Sequence, residues 1–599
     1  MSPSRDASSD GLKRIRNPFL NFVLGNPLDE NPSDVAEINV EAFNKCLDLI
    51  DDVREQQTTQ ALLLFGEPGA GKTHLLSRLR GQLERDKTAE TLFIPIRMVT
   101  SAGMLWRFLR RHLAVALLRN RSFARVIRRD RDEIAEIDRN LGIVLGNLQN
   151  GVQYADSAAW LRGQELPDEA LKSLGIAGAG EDDEQEAASR NVISMLCALG
   201  EPVPFVFCFD QLEALRAHQE DTAGFFKLGQ IISDLHDSTH NVALISCMQT
   251  SMVPVLETVV QGADRDRMLG RRAGLRPLTP TEAMKLVQAR LATVGELEGR
   301  RPIKESDLKD LFEPDGLCLA RKVVVRCQEV FRKWVDEPEP PVRPLPDELE
   351  EKLRLLQRTP RVEDSDAILR AGLPAVLRLR KVRVAPTGRA NKVLEGIVGD
   401  KPSAVALCNQ KAGQVLIRRL DMAEKEWKST GAPVMLLLRD ARNGIGVGAA
   451  KTRAVLERLE SAGARLVSVK PEALAVLEAI SRMLANARSG DLTYNGDSVP
   501  AATVEEWLRG AMPAAVEELV DEVAGNRYTP PDELAGMLMD LLGRAKVIES
   551  EEAARELGRG IEDVDACARR NPTLIGLAGG SRRVLYRIVE THIDGDARD

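Results

Sequence analysis

The stretch Ala61-Leu-Leu-Leu-Phe-Gly66-Glu-Pro-Gly-Ala-Gly71-Lys72-Thr73 decides how the N-terminal half of this chain is interpreted. It opens with an apolar run typical of a buried strand and continues into a glycine-rich segment with the spacing GxxxxGK[ST]. A loop that turns backbone N–H groups inward around phosphate oxygens needs glycine where a side chain would collide. The helix that follows directs its positive N-terminus at the same charge. The stretch therefore predicts a strand, a phosphate-binding loop and a helix.

The residues of this loop have separate roles in binding a nucleoside triphosphate. Lys72 is expected to reach the β- and γ-phosphates, and the Thr73 hydroxyl is expected to ligate Mg²⁺. The predicted cofactors are therefore ATP and Mg²⁺. The residues that we predict to bind nucleotide in and beside the loop are Gly66, Glu67, Pro68, Gly69, Ala70, Gly71, Lys72, Thr73 and His74.

A second apolar segment, Phe205-Val-Phe-Cys-Phe-Asp210, ends in a carboxylate. A strand that ends in Asp after a phosphate-binding loop is the usual way to place a carboxylate on the magnesium ion. Many ATPases of this kind carry Glu at the next position, whereas this chain has Gln211, with Glu213 two residues on. Glutamine can position a water but cannot accept its proton, and Glu213 could do so if the turn bends back. The catalytic candidates are Asp210, Gln211 and Glu213.

Length and composition restrict the class of protein. At 599 residues the chain predicts three or four domains, and its net charge of −8 means that any contact with nucleic acid must come from a local basic patch. The eight cysteines are scattered without a CxxC pair, which is typical of thiols in a reducing cytoplasm. The polar N-terminus lacks the apolar core of a signal peptide, and the longest apolar runs are too short to span a bilayer. We therefore expect a cytoplasmic protein that does not contact a membrane.

Strands alternate with helices in the first third of the chain, and this alternation predicts a parallel sheet covered on both faces. Further strands are expected at Thr91–Arg97, Phe205–Phe209 and Asn241–Cys247. Residues 101–200 read as a mostly helical insert with basic faces around Arg107–Arg129. From Thr279 to about Trp334 the pattern is helical.

The proline-rich stretch Asp336–Pro346 is expected to be a linker, and a second α/β region follows it. Its segment Leu377–Val384 alternates apolar and basic residues, which predicts a strand with a cationic face suited to phosphates. Asp400, followed by Ala404–Lys411, resembles the PD-(D/E)xK nuclease core, but Asn409 and Gln410 stand where that chemistry needs an acidic metal ligand. A catalytically inactive DNA-binding relative and an unrelated α/β scaffold are both compatible with this pattern, and nuclease activity is not predicted.

The C-terminal segment predicts a DNA-reading module. Val547–Gly558 reads as a helix that ends in glycine, Ile561–Arg570 as a second helix, and Leu574–Val589 as a hairpin, which is the winged helix-turn-helix order. Acidic residues begin the second helix, and winged helices also dock proteins, so docking of a protein partner stays open. The residues that we predict to contact duplex DNA are Arg569, Arg570, Arg582, Arg583 and Arg587.

The phosphate loop, Asp210 and the order of the later elements resemble the AAA+ ATPases, nearest their Orc-type and STAND-like branches. This resemblance implies a polar sensor at Gln249 or Thr250, after the strand that begins at Val242. It implies a second sensor at Arg321 in the helical lid. It also implies an arginine finger that reaches a neighbouring subunit's nucleotide, for which Arg267 is favoured over Arg271 and Arg272, and hence a homo-oligomer.

The helical insert with Trp160-Leu-Arg-Gly163 is also similar to ATP-binding proteins of BREX-like phage-defence systems. That likeness implies partner proteins of a defence system. Trp160 itself is more often a packing residue than a contact site.

The predicted fold class is α/β: a P-loop NTPase (AAA+) parallel sheet with a helical lid, a second smaller α/β domain and a C-terminal winged helix-turn-helix. The predicted function is an ATP-binding protein whose nucleotide state controls assembly on double-stranded DNA, in phage defence or a mobile-element system. The alternatives are a STAND-like scaffold that docks a protein partner and a nuclease-associated ATPase with a degenerate middle domain. The predicted segments are a disordered terminus at 1–17, an ATPase core at 18–275, a lid at 276–335, a linker at 336–346, a middle domain at 347–510 and the winged module at 528–592.

Overall fold

A computed structural model describes most of the chain. The described residues are 17–20, 34–86, 90–98, 104–119, 127, 136, 138–177, 182–216, 221–294, 301–312, 316–335, 343–358, 365–385, 393–399, 402–411, 413–445, 449–495, 497–524, 533–570, 575–579 and 583–587. Residues 1–16 of the predicted disordered terminus and residues 336–342 of the predicted linker lie outside these residues. The described chain forms two compact units, which divide after Ala524.

A five-stranded parallel sheet forms the core of the first unit, with the strand order β2-β3-β4-β1-β5. The strands predicted from sequence are present to within a residue or two at each end. The elements are α1 (Val40–Gln56), β1 (Gln60–Phe65), α2 (Lys72–Arg85), β2 (Leu92–Arg97), β3 (Phe205–Asp210), α8 (Ala223–Ser238), β4 (Val242–Met248), α9 (Val253–Val259), α10 (Gly262–Leu269) and β5 (Arg272–Gly274).

The sheet places the predicted nucleotide site at one edge. Strands β3 and β4 are buried along their whole length, as expected for a parallel sheet covered by helices on both faces. Because β1, β3 and β4 run parallel, the loops at their carboxyl ends meet at the same edge. Ligands bind at this edge in open α/β sheets. The phosphate loop, Asp210 and Gln249 are therefore brought together by the topology alone.

The predicted helical insert is present between β2 and β3, but three of its described arginines do not lie on a basic face. Arg107, Arg110 and Arg111 are buried. The Arg110 guanidinium lies over the Trp160 ring, 4.5 Å from its centroid, and donates to the Trp160 and Leu161 carbonyls. These three residues do not form the expected basic face, because they are buried and Arg107 and Arg110 donate to backbone carbonyls inside the insert. Trp160 is a packing residue. The helices are α3 (Leu105–Leu118), α4 (Arg139–Asn150), α5 (Tyr154–Leu161), α6 (Asp168–Leu174) and α7 (Asp182–Gly200).

A helical lid follows β5. Helix α11 (Pro280–Ala292) starts at a capping box, in which Thr279 and Glu282 satisfy each other's backbone N–H groups. Helix α12 (Ala320–Trp334) packs Val323, Cys327 and Phe331 into a separate apolar cluster. The first turn of α12 carries Arg321 towards the phosphate loop.

The middle domain has its own sheet, with the order β10-β9-β8-β7-β6. Strands β8, β9 and β10 are parallel, and β6 and β7 are antiparallel additions. The elements are α13 (Leu345–Arg358), α14 (Ser365–Leu379), β6 (Val384–Ala385), β7 (Leu394–Val398), β8 (Ser403–Leu407), α15 (Gly413–Thr430), β9 (Val434–Asp440), α16 (Ala450–Ser461), β10 (Ala464–Val469), α17 (Pro471–Arg488), β11 (Thr493–Tyr494), β12 (Asp497–Ser498), α18 (Ala501–Gly510) and α19 (Ala514–Ala524).

Two expectations for this domain are wrong. The segment Leu377–Val384 is not a cationic strand, because α14 runs through Leu379 and buries residues at helical spacing. The domain also does not end at residue 510, because α19 packs in the same apolar cluster as α17.

The second unit contains α20 (Glu533–Ala545), β13 (Val547–Glu549), α21 (Ser550–Leu557), α22 (Ile561–Arg570), β14 (Ile575–Ala578) and β15 (Val584–Arg587). Its strands form an antiparallel sheet in the order β13-β15-β14. The two helices and the hairpin expected from sequence are present. Val547–Glu549 is a strand rather than the start of the first helix, because it pairs with β15.

All eight cysteines are buried free thiols, as expected. Within the described part of the chain, every helix is too short or too polar to cross a lipid bilayer.

The packing of α14 on α17 generates a stability prediction. A Cβ at Gly372 would lie 3.0 Å from both the Cβ and the carbonyl oxygen of Leu477, whereas a Cβ at Gly510 in α18 would meet nothing within 4 Å. Gly372→Ala should therefore destabilise the protein by about 1–3 kcal/mol, because two helix backbones must separate. Gly510→Ala, the matched helical control, should be neutral or stabilising. Thermal unfolding followed by circular dichroism measures both, and equal melting temperatures for the two variants would contradict the packing described.

Candidate nucleotide site

The phosphate loop has the backbone that its glycines predict. Gly69 and Gly71 have φ angles of 85° and 100°, a region that side chains other than glycine rarely adopt. A Cβ at Gly69 would also lie only 2.8 Å from the Cβ of Arg321. Helix α2 begins at Lys72, so its N-terminal N–H groups open onto the loop. The loop combines a glycine turn with a helix N-terminus, which is the arrangement that binds phosphate.

The Lys72 ammonium lies within this loop. Its Nζ donates to the carbonyl oxygens of Gly66 at 2.8 Å and Glu67 at 3.2 Å. Glu67 is exposed, and Ala70 is buried beneath the turn. His74 does not enter the loop, since its ring lies 3.6 Å from a carboxylate oxygen of Asp34. The predicted nucleotide role of His74 therefore has no support from its position.

Thr73 and Asp210 form the candidate magnesium site. The Thr73 hydroxyl donates to Asp210 Oδ2 at 2.8 Å across the edge of the sheet. Burial raises the pKa of Asp210, and the hydrogen bond from Thr73 opposes that rise. A buried carboxylate beside a hydroxyl presents the hard oxygen ligands that Mg²⁺ prefers. Thr73 and Asp210 thus fit a magnesium ion, which would supply charge neutralisation for a bound triphosphate.

Glu213 lies in the short 3₁₀ turn directly after Asp210 and faces the same site. Its side chain is 5% exposed, and its Oε2 atom has no hydrogen-bond partner among the described residues. Burial raises the pKa of Glu213 to about 7, although the positive charge of Lys72 opposes the rise. A carboxylate with this pKa can accept a proton near neutral pH. Of the predicted catalytic residues, Glu213 therefore has the pKa that best suits proton transfer near neutral pH.

Gln211 is held at both ends of its amide. Its backbone is left-handed, with φ of 61°, and its side chain is 4% exposed. Arg97 Nε donates to Gln211 Oε1 at 2.9 Å, and Gln211 Nε2 donates to the carboxylate of Asp491. The amide is therefore already engaged in this structure and is not free to orient a water.

Arg321, the predicted second sensor, reaches the phosphate loop and binds the same carboxylate as Gln211, that of Asp491. Its guanidinium forms an ion pair with Asp491, at 2.9 Å from Nη2 to Oδ1, and also donates to Ser498 Oγ at 3.2 Å. Only 9% of the Arg321 side chain is exposed. The lid arginine and the residue after Asp210 thus converge on one carboxylate of the middle domain.

The middle-domain segment at the end of α17 was missed from sequence. Arg97 Nη2 donates to Asn486 Oδ1 at 2.8 Å, and Gln249 Nε2 donates to the Arg488 carbonyl at 2.9 Å. Asp491 lies 280 residues from Gln211 in the chain. Because no motif surrounds Asp491, only the packing of the two domains could reveal its place.

The candidate arginine finger, Arg267, forms an ion pair within its own chain. Arg267 lies in α10 and pairs with Asp237 of α8 at 2.8 Å. Its two alternatives also have partners, since Arg271 pairs with Asp52 at 2.7 Å and Arg272 pairs with Glu257. A role for Arg267 in a neighbouring subunit therefore requires it to leave Asp237.

Asn409 and Gln410 of the middle domain are buried rather than arranged around a metal. Asn409 Nδ2 donates to Asp366 Oδ1 at 2.6 Å, and Asn409 Oδ1 accepts from the Asp440 backbone N–H at 2.6 Å. In the chain as described, no group of three or more His, Cys, Asp or Glu side chains could hold a metal. Asn409 joins α14 to β9, and this structural role does not support nuclease chemistry.

The candidate DNA-binding arginines belong to the second unit. Arg569 and Arg570 end helix α22, and Arg587 ends β15. Arg582 lies outside the described residues. Arg583 pairs with Asp565, whose side chain is 2% exposed. The expectation that Arg583 contacts DNA phosphate conflicts with this pairing, since a buried carboxylate would be left without its cation.

Comparisons with known proteins agree with the site. Residues 41–245 match the model of the AAA ATPase domain. No curated protein matches the chain significantly.

Among solved structures, the chain is similar to the Drosophila origin recognition complex (ORC) bound to DNA, with 10% identity, a TM-score of 0.32, and coverage of 77% of this chain and 86% of that chain. The ORC1 protein of Aeropyrum pernix in complex with DNA is 10% identical, with a TM-score of 0.32 and coverage of 73% of this chain and 86% of that chain. Cdc6p from Pyrobaculum aerophilum is 13% identical, with a TM-score of 0.31 and coverage of 73% of this chain and 88% of that chain. TM-scores this low carry no information about what this chain binds. The matched span runs from α1 to β4 and includes the phosphate loop, Asp210 and Glu213, so this part of the chain is similar to an AAA ATPase domain.

Proposed function

We propose that the chain binds Mg·ATP at the phosphate loop, hydrolyses it with Glu213 as general base, and uses its nucleotide state to control assembly on double-stranded DNA. The observation that carries the nucleotide part is the Thr73–Asp210 hydrogen bond at the carboxyl edge of the sheet. It places a hydroxyl and a carboxylate side by side at the N-terminus of α2. Lys72 supplies the positive charge for the phosphates.

The hydrolytic step depends on residues of this chain. Glu213 would accept the proton of the attacking water, since its raised pKa matches a proton transfer near neutral pH. Gln211 would take part only after its amide is released from Asp491. Mg²⁺ held by Thr73 and Asp210 would neutralise developing charge on the phosphates.

The DNA part of the proposal rests on the second unit. A strand, two helices and a hairpin follow α20 in the winged helix-turn-helix order, and α22 would be the helix that enters the major groove. Arg569, Arg570 and Arg587 would then bind phosphates. A role in phage defence or a mobile-element system, and assembly into homo-oligomers through Arg267, extend the same proposal.

Docking of a protein partner is the second candidate for this unit. Val547 and Tyr586 face each other across β13 and β15 and are 57% and 40% exposed, so the sheet presents an apolar pair. Glu562 and Asp563 are exposed at the start of α22 and would repel phosphates. Both features favour a protein surface over DNA at those positions.

Removal of the loop lysine tests nucleotide binding. Lys72→Ala should weaken ATP binding by about ten- to a hundredfold, because a charge-assisted contact to the phosphates is lost. Thr73→Ala should abolish the strengthening of ATP binding by Mg²⁺. Equilibrium dialysis with labelled ATP, with and without Mg²⁺, measures both variants. Lys425→Ala, an exposed lysine in α15, is the control. Unchanged ATP affinity in Lys72→Ala would refute the site.

The raised pKa of Glu213 predicts the pH dependence of hydrolysis. A general base must be deprotonated, so the turnover rate should rise with pH and reach half of its maximum near the pKa of about 7. Glu213→Gln should lower the rate by about 10²–10⁴-fold while ATP still binds. Phosphate release between pH 5.5 and 9 provides the measurement, with Glu55→Gln on the exposed face of α1 as control. A flat profile, or an active Glu213→Gln enzyme, would remove Glu213 from the chemistry.

Charge removal in α22 separates DNA binding from protein docking. The double variant Arg569→Ala/Arg570→Ala should weaken duplex binding and reduce its salt dependence by roughly two phosphate contacts. The control Arg418→Ala/Lys425→Ala removes two charges from α15 of the middle domain. Fluorescence anisotropy over a salt series provides the measurement. Absence of duplex binding by the wild-type chain at low salt, with and without ATP, would favour the protein-docking candidate.

A further inference from the structure

The middle domain reaches into the ATPase core with the end of α17 and the turn after it. Gly490 lies so close to the phosphate loop that a Cβ there would be 2.7 Å from the Cβ of Pro68. Its φ of 68° also favours glycine. Ala485, one turn earlier, packs in the apolar cluster of the core. The turn Ser489–Asp491 is therefore seated on the nucleotide site.

The carboxylate of Asp491 is bound as an anion by this site. Its Oδ1 accepts from Arg321 Nη2 at 2.9 Å, and its Oδ2 accepts from the Gln211 amide and from Ser489 Oγ. The Arg321 guanidinium is nearly buried, so it cannot exchange this anion for water without loss of stability. Arg321 and Gln211 thus form an anion-binding pair that a residue of the chain fills.

The charge of the site allows one anion at this position, not two. Asp210 and Glu213 already lie beside it, and the negative charge of Asp491, after burial itself, contributes to the raised pKa of Asp210. A triphosphate adds several negative charges at the same edge. Arg321 is held against the loop by its backbone N–H, which donates to the Gly69 carbonyl at 3.4 Å. It cannot follow Asp491 away from the phosphates.

We propose that Asp491 is an internal competitor of the γ-phosphate: it occupies Arg321 and Gln211 until ATP displaces it. The inference rests on the proposed nucleotide site and adds its regulation. ADP lacks the third phosphate and leaves the Asp491 contacts in place. ATP breaks them and with them the seating of Ser489–Asp491 on Pro68. The nucleotide state is thereby converted into attachment or release of the middle domain.

Nucleotide affinity tests the competition. Asp491→Asn should bind ATP roughly tenfold more tightly than the wild type, while its affinity for ADP stays within about twofold. Asp497→Asn is the control, because it removes the same charge from an exposed position in the adjacent β11–β12 hairpin. Calorimetric titrations with each nucleotide provide the measurement. Unchanged or weaker ATP binding by Asp491→Asn overturns the proposal, and so does an equal gain for ADP.

Hydrogen exchange in the wild-type chain gives a readout that does not depend on a variant. The Asp491 and Gly490 backbone N–H groups donate to Asn486 and Ala487 carbonyls at 2.8 Å and 3.2 Å. ATP should speed exchange across residues 488–492, and ADP should leave it unchanged. Slower exchange with ATP would show that Asp491 closes over the triphosphate and would overturn the proposal. If neither the wild type nor Asp491→Asn binds either nucleotide, the proposed nucleotide site itself fails.

Discussion

The hydrogen bond from Thr73 to Asp210 is the interaction on which the rest of the ATPase core depends. It joins the start of α2 to the end of β3 and thereby sets the phosphate loop against the carboxyl edge of the sheet. The glycines of the loop make this approach possible, since Gly69 and Gly71 adopt backbone angles that other residues avoid. Lys72, which follows β1, shares one site with Asp210 and Glu213, which lie at and after the end of β3, because β1 and β3 flank β4 in the sheet.

The middle domain contributes contacts to that site. A phosphate loop alone predicts nucleotide binding, but Arg321, Gln211 and Gln249 all contact residues between 486 and 491 of the middle domain. Gln249 and Arg321 are the residues expected to act as sensors, and Gln211 is a residue expected to position a water. In our proposal, these contacts with a second domain are what couples the nucleotide to domain contacts within a single chain. Asn409, by contrast, has a structural role within the middle domain, where it joins α14 to β9.

Local chemistry explains which features could be predicted from sequence. The glycine spacing at Gly66–Thr73 and the apolar strand that ends at Asp210 are signals carried by a few neighbouring residues, and both were predicted correctly. Leu377–Val384 was misjudged because a window of eight residues cannot distinguish alternation from the end of a helix that begins at Ser365. Asp491 had no signal at all, since its partners lie hundreds of residues away and meet it only through domain packing. The pairing of Arg583 with Asp565, only 18 residues apart, was not predicted for a different reason, because it depends on how the chain before β15 folds back onto α22.

The central claim is that the loop before Lys72 binds a triphosphate with Asp210 beside its metal. Calorimetric titration of Mg·ATP into the full-length wild-type protein tests it most directly, with circular dichroism to establish that the protein is folded. The account predicts saturable binding with one nucleotide per chain, and weaker binding when Mg²⁺ is removed by chelation. Absence of any heat of binding in fully folded protein would contradict it.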